Sequence, residues 1–228
     1  MEPVVKLFFL CRRKDGLSHE AYAEHLLRGH VPIALRHHPT LRRYTVNVVE
    51  SSSPGSPPLD SIGELGFESL DDYRERLYDS PEGARIVADD VRGFLGAAHA
   101  YATIEHVQRA PSPPTGLGER SAGVKFVAAV RRADGLTHDN FVRGWLDRHV
   151  PLVLADPMVR GYKTNVVDAR LSAGAPEFDG IAELHFDSAA DLDAHIRLSR
   201  DETKPIRGDI QRFVAQATTY CVAEYVQR

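Results

Sequence analysis

Apolar residues recur along the chain with two alternating periods, and the switches between them mark out its elements. Near the start, Val5, Leu7 and Phe9 alternate with Lys6, Phe8 and Leu10, and further on Gly63, Leu65 and Phe67 alternate with Ile62, Glu64 and Gly66. A period of two predicts strands, each with one apolar face and one face that mixes apolar residues with charge. Strands are expected over 4–11, 44–50, 61–68 and 98–107, and again over 124–130, 162–168, 180–187 and 218–226. After the first strand the period lengthens. Tyr22, Leu26, His30 and Ile33 fall on one helical face, as do Phe141, Trp145, His149 and Leu152. Ser18 and Thr137 stand where N-caps are needed, with Glu20 and Asp139 in the first turn. Pro32 and Pro151 follow the two histidines and predict that these helices end or bend at His30 and His149. A second helix is expected over 70–95 and over 189–215, open to interruption at Pro81 and Pro205.

The two sets are copies. RRKDGLSH, ending at His19, returns as RRADGLTH ending at His138, 119 residues later, and the same offset relates Lys6 to Lys125, Glu64 to Glu183, Phe94 to Phe213 and Tyr101 to Tyr220. Tyr44 and Asn47 match Tyr162 and Asn165 at 118, so one extra residue after His30 is absorbed in a loop. Each copy reads strand, helix, strand, strand, helix, strand, which places both helices on one face of an antiparallel sheet and makes the chain α+β. Three segments follow: unit one over 1–109, a Pro- and Gly-rich linker over 110–121, and unit two over 122–228. The apolar strand faces are expected to carry the helices. The mixed faces should meet sheet to sheet and enclose a lined chamber.

Composition narrows the partners. With 43% hydrophobic and 26% charged residues, a net charge of −4 and a pI near 6.3, the chain offers no cationic field for nucleic acid or anionic membrane. The apolar run over 4–11 contains Lys6 and is too short to span a bilayer, so a cytoplasmic protein is expected. Cys11 and Cys221 fall in different copies and read as buried free thiols. His37 and His38 are adjacent without a third ligand at metal-binding spacing, and GxGxxG, P-loop, GxSxG and HExxH patterns are missing. No metal and no bound cofactor are expected.

A strand with Lys, then Arg, Asp, GlyLeu, Ser or Thr, an aromatic residue, His and Pro, a Tyr with Asn three residues on, and later GluLeu and Phe, resembles the EthD family of the dimeric α/β-barrel superfamily. Copy one departs at Leu26, where copy two has Trp145. The resemblance implies two tandem ferredoxin-like βαββαβ units packed sheet to sheet as a pseudo-dimer. It also implies a range of chemistries: polyketide cyclases, dehydratases, muconolactone-type isomerases and cofactor-free monooxygenases.

His149 and His30 are the candidate catalytic residues. A histidine at a helix C-terminus is pulled toward protonation by the dipole and away from it by burial, so it can exchange protons near working pH. Candidate substrate-binding residues are Lys6 and Lys125 with Glu64 and Glu183, expected to orient a carbonyl or phenolate; Tyr44, Tyr162, Asn47, Asn165, Tyr101 and Tyr220; and the helix residues Tyr22, Phe141 and Trp145. A structural ion pair explains the Lys and Glu residues equally well. Phe141 and Trp145 make a wider aromatic wall beside His149 than Tyr22 and Leu26 make beside His30, so the second copy is expected to bind better. The leading reading is a cofactor-independent enzyme acting on a small hydrophobic carbonyl, phenolic or polyketide-like molecule by His-assisted proton transfer, through cyclisation, dehydration or isomerisation. The alternatives are an oxidoreductase role, as a monooxygenase or oxygenase accessory protein, and a non-catalytic carrier of an apolar intermediate. Self-association of the pseudo-dimeric chain is left open.

Overall fold

The computed structural model describes residues 5–111 and 114–228. Val4 of the first expected strand, and Ser112 and Pro113 of the linker, lie outside the described residues. The first half holds strands β1 (Val5–Arg13), β2 (Arg43–Ser52), β3 (Ser61–Phe67) and β4 (Leu95–Arg109). The second holds β5 (Val124–Arg132), β6 (Gly161–Arg170), β7 (Gly180–Phe186) and β8 (Val214–Val226). The half-sheets run β4-β1-β3-β2 and β8-β5-β7-β6, with every pairing antiparallel.

These sheets do not stack as two separate layers. β2 pairs with β8 and β4 with β6, so all eight strands close into one barrel. This corrects the expected sheet-to-sheet packing, and the reason is the edges. Stacked sheets would leave β2, β4, β6 and β8 with unpaired backbone groups, whereas edge pairing satisfies them within the chain. The strand faces fall as the alternation predicts. Leu7, Val46 and Phe67 pack outward under the first half's helices, Ala182, Leu184 and Phe186 under the second's, and Phe8, Leu10, Ile62, Val127 and Ile181 fill the barrel.

The repeated signature builds the corner between the first strand and first helix. Arg13 donates its backbone N–H to Asp60 Oδ2 at 2.7 Å and its Nε–H to the Leu17 carbonyl at 2.9 Å, while its guanidinium pairs with Asp60. Arg132, Leu136 and Asp179 repeat the arrangement at 2.8 and 3.0 Å. Gly16 and Gly135 supply the turn at φ of 91° and 82°, a region side chains avoid. The signature is therefore architectural.

Both signature helices continue past their histidines. α1 (His19–Glu24) runs through a π-helical turn at His25–His30 into α2 (Val31–His37); α5 (His138–Arg143) runs through Gly144–His149 into α6 (Val150–Leu154). The Val31 N–H reaches back five residues to the Leu26 carbonyl, and Val150 likewise to Trp145. Pro32 and Pro151, having no N–H, leave the next position of the ladder unfilled, so the wider turn absorbs them without breaking the helix. His30 and His149 are thus mid-helix, and the helix-end dipole argument for their proton affinity falls away. The second helices are interrupted as expected: α3 (Leu70–Arg74) precedes α4 (Pro81–Phe94), and α7 (Ala189–Arg200) precedes α8 (Pro205–Phe213). No helix among the described residues is long and apolar enough to cross a membrane.

Candidate active site

The middle of the barrel is filled by apolar side chains, and the charged candidates gather at one end. There Lys6 contacts Glu64 at 2.7 Å, Glu105 at 3.0 Å and Glu183, and Lys125 lies 2.6 Å from each of Glu64, Glu183 and Glu224. Asn47 donates to the Ile62 carbonyl and Glu64, and Asn165 repeats this with Ile181 and Glu183. Arg43 and His185 close the outer ring on Glu105 and Glu224. Burial opposes the charge on Lys6, but Glu183, Glu64 and Glu105 outweigh it and hold the ammonium above its ordinary pKa. Burial likewise opposes Glu105, yet Lys6, Lys163 and Arg43 bring it down to about 2. Glu64, Glu183 and Glu224 converge as metal ligands would, but the Lys125 ammonium already sits 2.6 Å from all three and acts as their cation. Tyr101 and Tyr220 point into the barrel as well, donating to the Pro176 and Pro57 carbonyls at 3.0 Å.

A cavity of about 350 Å³ opens at this charged end of the barrel, lined by Lys6, Arg43, Glu64, Glu105, Lys163 and Glu224, and two further cavities lie on the outer face, between sheet and helices, one in each half. Cavity one, about 240 Å³, is lined by His30, Tyr22, Tyr44, Cys11, Ser61 and the apolar side chains of α4. Cavity two, about 250 Å³, is lined by His149, Trp145, Tyr162, His195 and the apolar face of α8. Small residues on the helix-facing strand positions leave the room: Gly63 and Ala98 in the first half, Ala128, Ala182 and Ala217 in the second. Of the sequence-derived candidates, the structure gathers His30, Tyr22 and Tyr44 in one cavity and His149, Trp145 and Tyr162 in the other. Lys6 and Glu64 line the cavity at the barrel end instead, and Lys125, Glu183, Asn47, Asn165, Tyr101 and Tyr220 line none of the three. Phe141 is fully buried behind Trp145.

Each histidine faces a carboxylate on the second helix. His30 Nδ1 lies 2.8 Å from Asp90 Oδ2, and His25 Nε2 lies 2.7 Å from the other oxygen. His149 Nδ1 approaches Asp209 Oδ2 at 3.3 Å without hydrogen-bond alignment, and Arg148 stands 3.7 Å from Asp209. Asp90 and Asp209 are 119 residues apart, so the repeat that exposed the histidines also carried their partners. Burial lowers the pKa of His30, partly offset by Asp90; burial lowers His149 to about 4, partly offset by Asp209. Both imidazoles are therefore neutral at pH 7, and with Nδ1 directed at a carboxylate the free Nε2 is a proton acceptor. Burial raises the Tyr44 and Tyr162 phenols, which stay protonated as donors. Tyr162 accepts from Trp145 Nε1 at 3.0 Å and keeps its own hydrogen to donate. Cys11 is half-buried, and burial pushes its thiol up to about 12, so it is no nucleophile at neutral pH.

The EthD domain model matches residues 14–98 and again 133–217. The chain belongs to the EthD domain family. In three dimensions this EthD pair is similar to an anthrone oxidase-like protein, at a TM-score of 0.67 and 12% identity, covering 100% of this chain and 94% of that one. A monooxygenase candidate from Lactobacillus acidophilus matches at 0.52 and 11%, covering 100% and 97%. A chlorite dismutase variant from Candidatus Nitrospira defluvii, in complex with cyanide, matches at 0.52 and 12%, covering 97% and 92%. At these identities the likeness is one of fold. No curated protein matches the chain.

Proposed function

We propose that this EthD protein is a cytoplasmic, cofactor-independent enzyme that removes a proton from a small hydrophobic phenolic or enolisable carbonyl substrate, using His30 and His149 as bases. Each half is read as a ferredoxin-like unit, a reading supported by the β4-β1-β3-β2 and β8-β5-β7-β6 strand orders. The observation that carries the catalytic reading is an imidazole facing a carboxylate at the wall of an aromatic-lined cavity in both halves, hydrogen-bonded to it in the first half and 3.3 Å from it in the second. Nε2 takes the substrate proton. Asp90 or Asp209 stabilises the imidazolium that forms, and the Tyr44 or Tyr162 hydroxyl donates to the enolate or phenolate oxygen. Return of the proton at another atom gives isomerisation; attack of the enolate carbon on a second carbonyl gives cyclisation, with dehydration to follow.

The second reading is oxidative, and the likeness to an anthrone oxidase-like protein and a monooxygenase candidate favours it. There the anion formed by the same histidines would pass electrons to dioxygen. The two are separated by following an anthrone or a 1,3-diketone under argon in D₂O and then in air. Deuterium incorporation under argon reports the proton step alone; oxygen uptake with quinone formation reports the oxidative course. Replacing both histidines (His30→Ala with His149→Ala) should slow deuterium incorporation about 10²-fold or more, the low end of general acid–base contributions. Undiminished exchange in the folded double variant would remove the histidines from the mechanism.

A further inference from the structure

The two cavities share their histidine but differ in charge. Among the described residues, cavity one is lined by no Lys, Arg, Asp or Glu, whereas Arg200 and Arg207 both line cavity two. Arg207 stands on α8 two residues before Asp209. The position 119 residues earlier is Ala88, so the guanidinium belongs to the second half alone. Its Nε is buried and has no hydrogen-bond partner among the described residues. A buried cationic N–H without an acceptor costs free energy unless something supplies one, and the cavity is where an acceptor can enter.

The second imidazole points the same way. His195 Nδ1 is held by Asp156 at 2.7 Å, both are buried, and His195 lines cavity two beside His149. Where Asp156 stands, the first half has His38, whose Nδ1 turns to the Leu77 carbonyl at 3.2 Å, so this pairing too is absent from cavity one. Asp156 is held by His195, and Asp209 is approached by His149 at 3.3 Å and Arg148 at 3.7 Å, whereas Arg200 and Arg207 line the cavity itself. Both charged side chains that line the cavity, Arg200 and Arg207, are cationic.

We propose that cavity two is a site for a small apolar carboxylate, its anionic group accepting from Arg207 and its apolar body lying against Trp145 and between His149 and His195, while cavity one takes neutral molecules. This rests on the same cavity as the proposed function and adds the charge class of its ligand. A planar guanidinium favours a carboxylate over a neutral amide because the hydrogen bonds are charge-assisted.

Trp145 is the chain's single tryptophan and lines this cavity, so its emission reports cavity two without interference from cavity one. The probe is phenylacetate, with phenylacetamide as its neutral isostere, titrated into the full-length protein. Phenylacetate should change the emission saturably at about one-tenth the concentration phenylacetamide needs. Arg207→Gln should erase that preference and Arg207→Lys should retain part of it, with near-ultraviolet circular dichroism unchanged in both. Equal binding of the two probes, a preference that survives Arg207→Gln, or no saturation by phenylacetate up to tens of millimolar would each overturn the proposal. The two readings fail separately: undiminished deuterium exchange in the double histidine variant removes the proton step, whereas the probe preference and its loss in Arg207→Gln test the anion site alone.

Discussion

The two halves keep the same strand order and place a histidine and a carboxylate at equivalent positions, but they fill the space around them by different exchanges of volume. In the second half the Trp145 indole lies over Gly180, so closely that a Cβ added there would fall 2.0 Å from the ring. The first half has Leu26 and Ser61 at those two places, and Ser61 Oγ is used instead, 2.7 Å from the Tyr22 hydroxyl. Bulk moved from strand to helix, and the cavities ended nearly equal. The aromatic wall expected to enlarge the binding surface of the second half is therefore spent largely on packing, Trp145 being 2% exposed. Conversely, His30 is the better aligned with its carboxylate, at 2.8 Å against 3.3 Å. The lesson is that equal cavity volume can hide unequal chemistry.

The largest expected effect tests what the halves share. Lys6 and Lys125 occupy equivalent places in the barrel network, so Lys6→Met and Lys125→Met should each destabilise the fold by about 3–5 kcal/mol, because each strands buried carboxylates. Guanidinium unfolding of the two variants measures it. Costs differing by more than about 2 kcal/mol would mean that the network is not symmetric in energy as it is in geometry.

The next effect concerns pH. A histidine whose folded pKa lies below its unfolded value of about 6.5 takes up its proton more readily in the unfolded chain, so stability is fully present above pH 6.5 and is lost as pH falls toward the folded value. For His149, with a folded value of about 4, the loss between pH 6.5 and 4 should reach about 3 kcal/mol. His149→Gln should flatten that part of the pH–stability curve, and an unchanged slope would place the acid sensitivity elsewhere.

The volume exchange gives the smallest and most specific effect. Gly180→Ser alone should cost about 1–3 kcal/mol through overpacking against Trp145. Combining it with Trp145→Leu, which recreates the first half's pair, should recover most of that loss in a double-mutant cycle. Additive losses would show that the two positions are not exchanged as a unit.

The duplication, the strand faces and the helix stripes were legible because each rests on periodicity, which sequence carries directly. Where the chamber would lie was not. The alternation at Lys6, Phe8, Ile62 and Glu64 correctly sent those side chains away from the helices, but it cannot say whether large side chains will fill the space they enter. The signal that was available is the run of small residues facing the helices: Gly63 and Ala98, Ala128, Ala182 and Ala217. Asp90 and Asp209 could have been found by asking which acidic residues repeat at 119, and so could Glu105 and Glu224. The π-turns were not foreseeable from the prolines alone. A helix can answer a missing N–H by widening as well as by ending, and packing of the flanking turns decides between the two.

Closure of the barrel joins the last strand to one of the first: residues 45–52 of β2 pair with residues 220–226 of β8. During synthesis, then, β2 and β4 emerge with bare edges and must wait while the second copy is translated, on the order of ten seconds at ordinary elongation rates. The first half is exposed to edge pairing with a neighbouring nascent chain for that interval, and the same pairing would build a barrel between two chains in place of one within each. Slowing translation across the second copy should therefore shift newly made protein from barrels closed within one chain toward strand-exchanged ones.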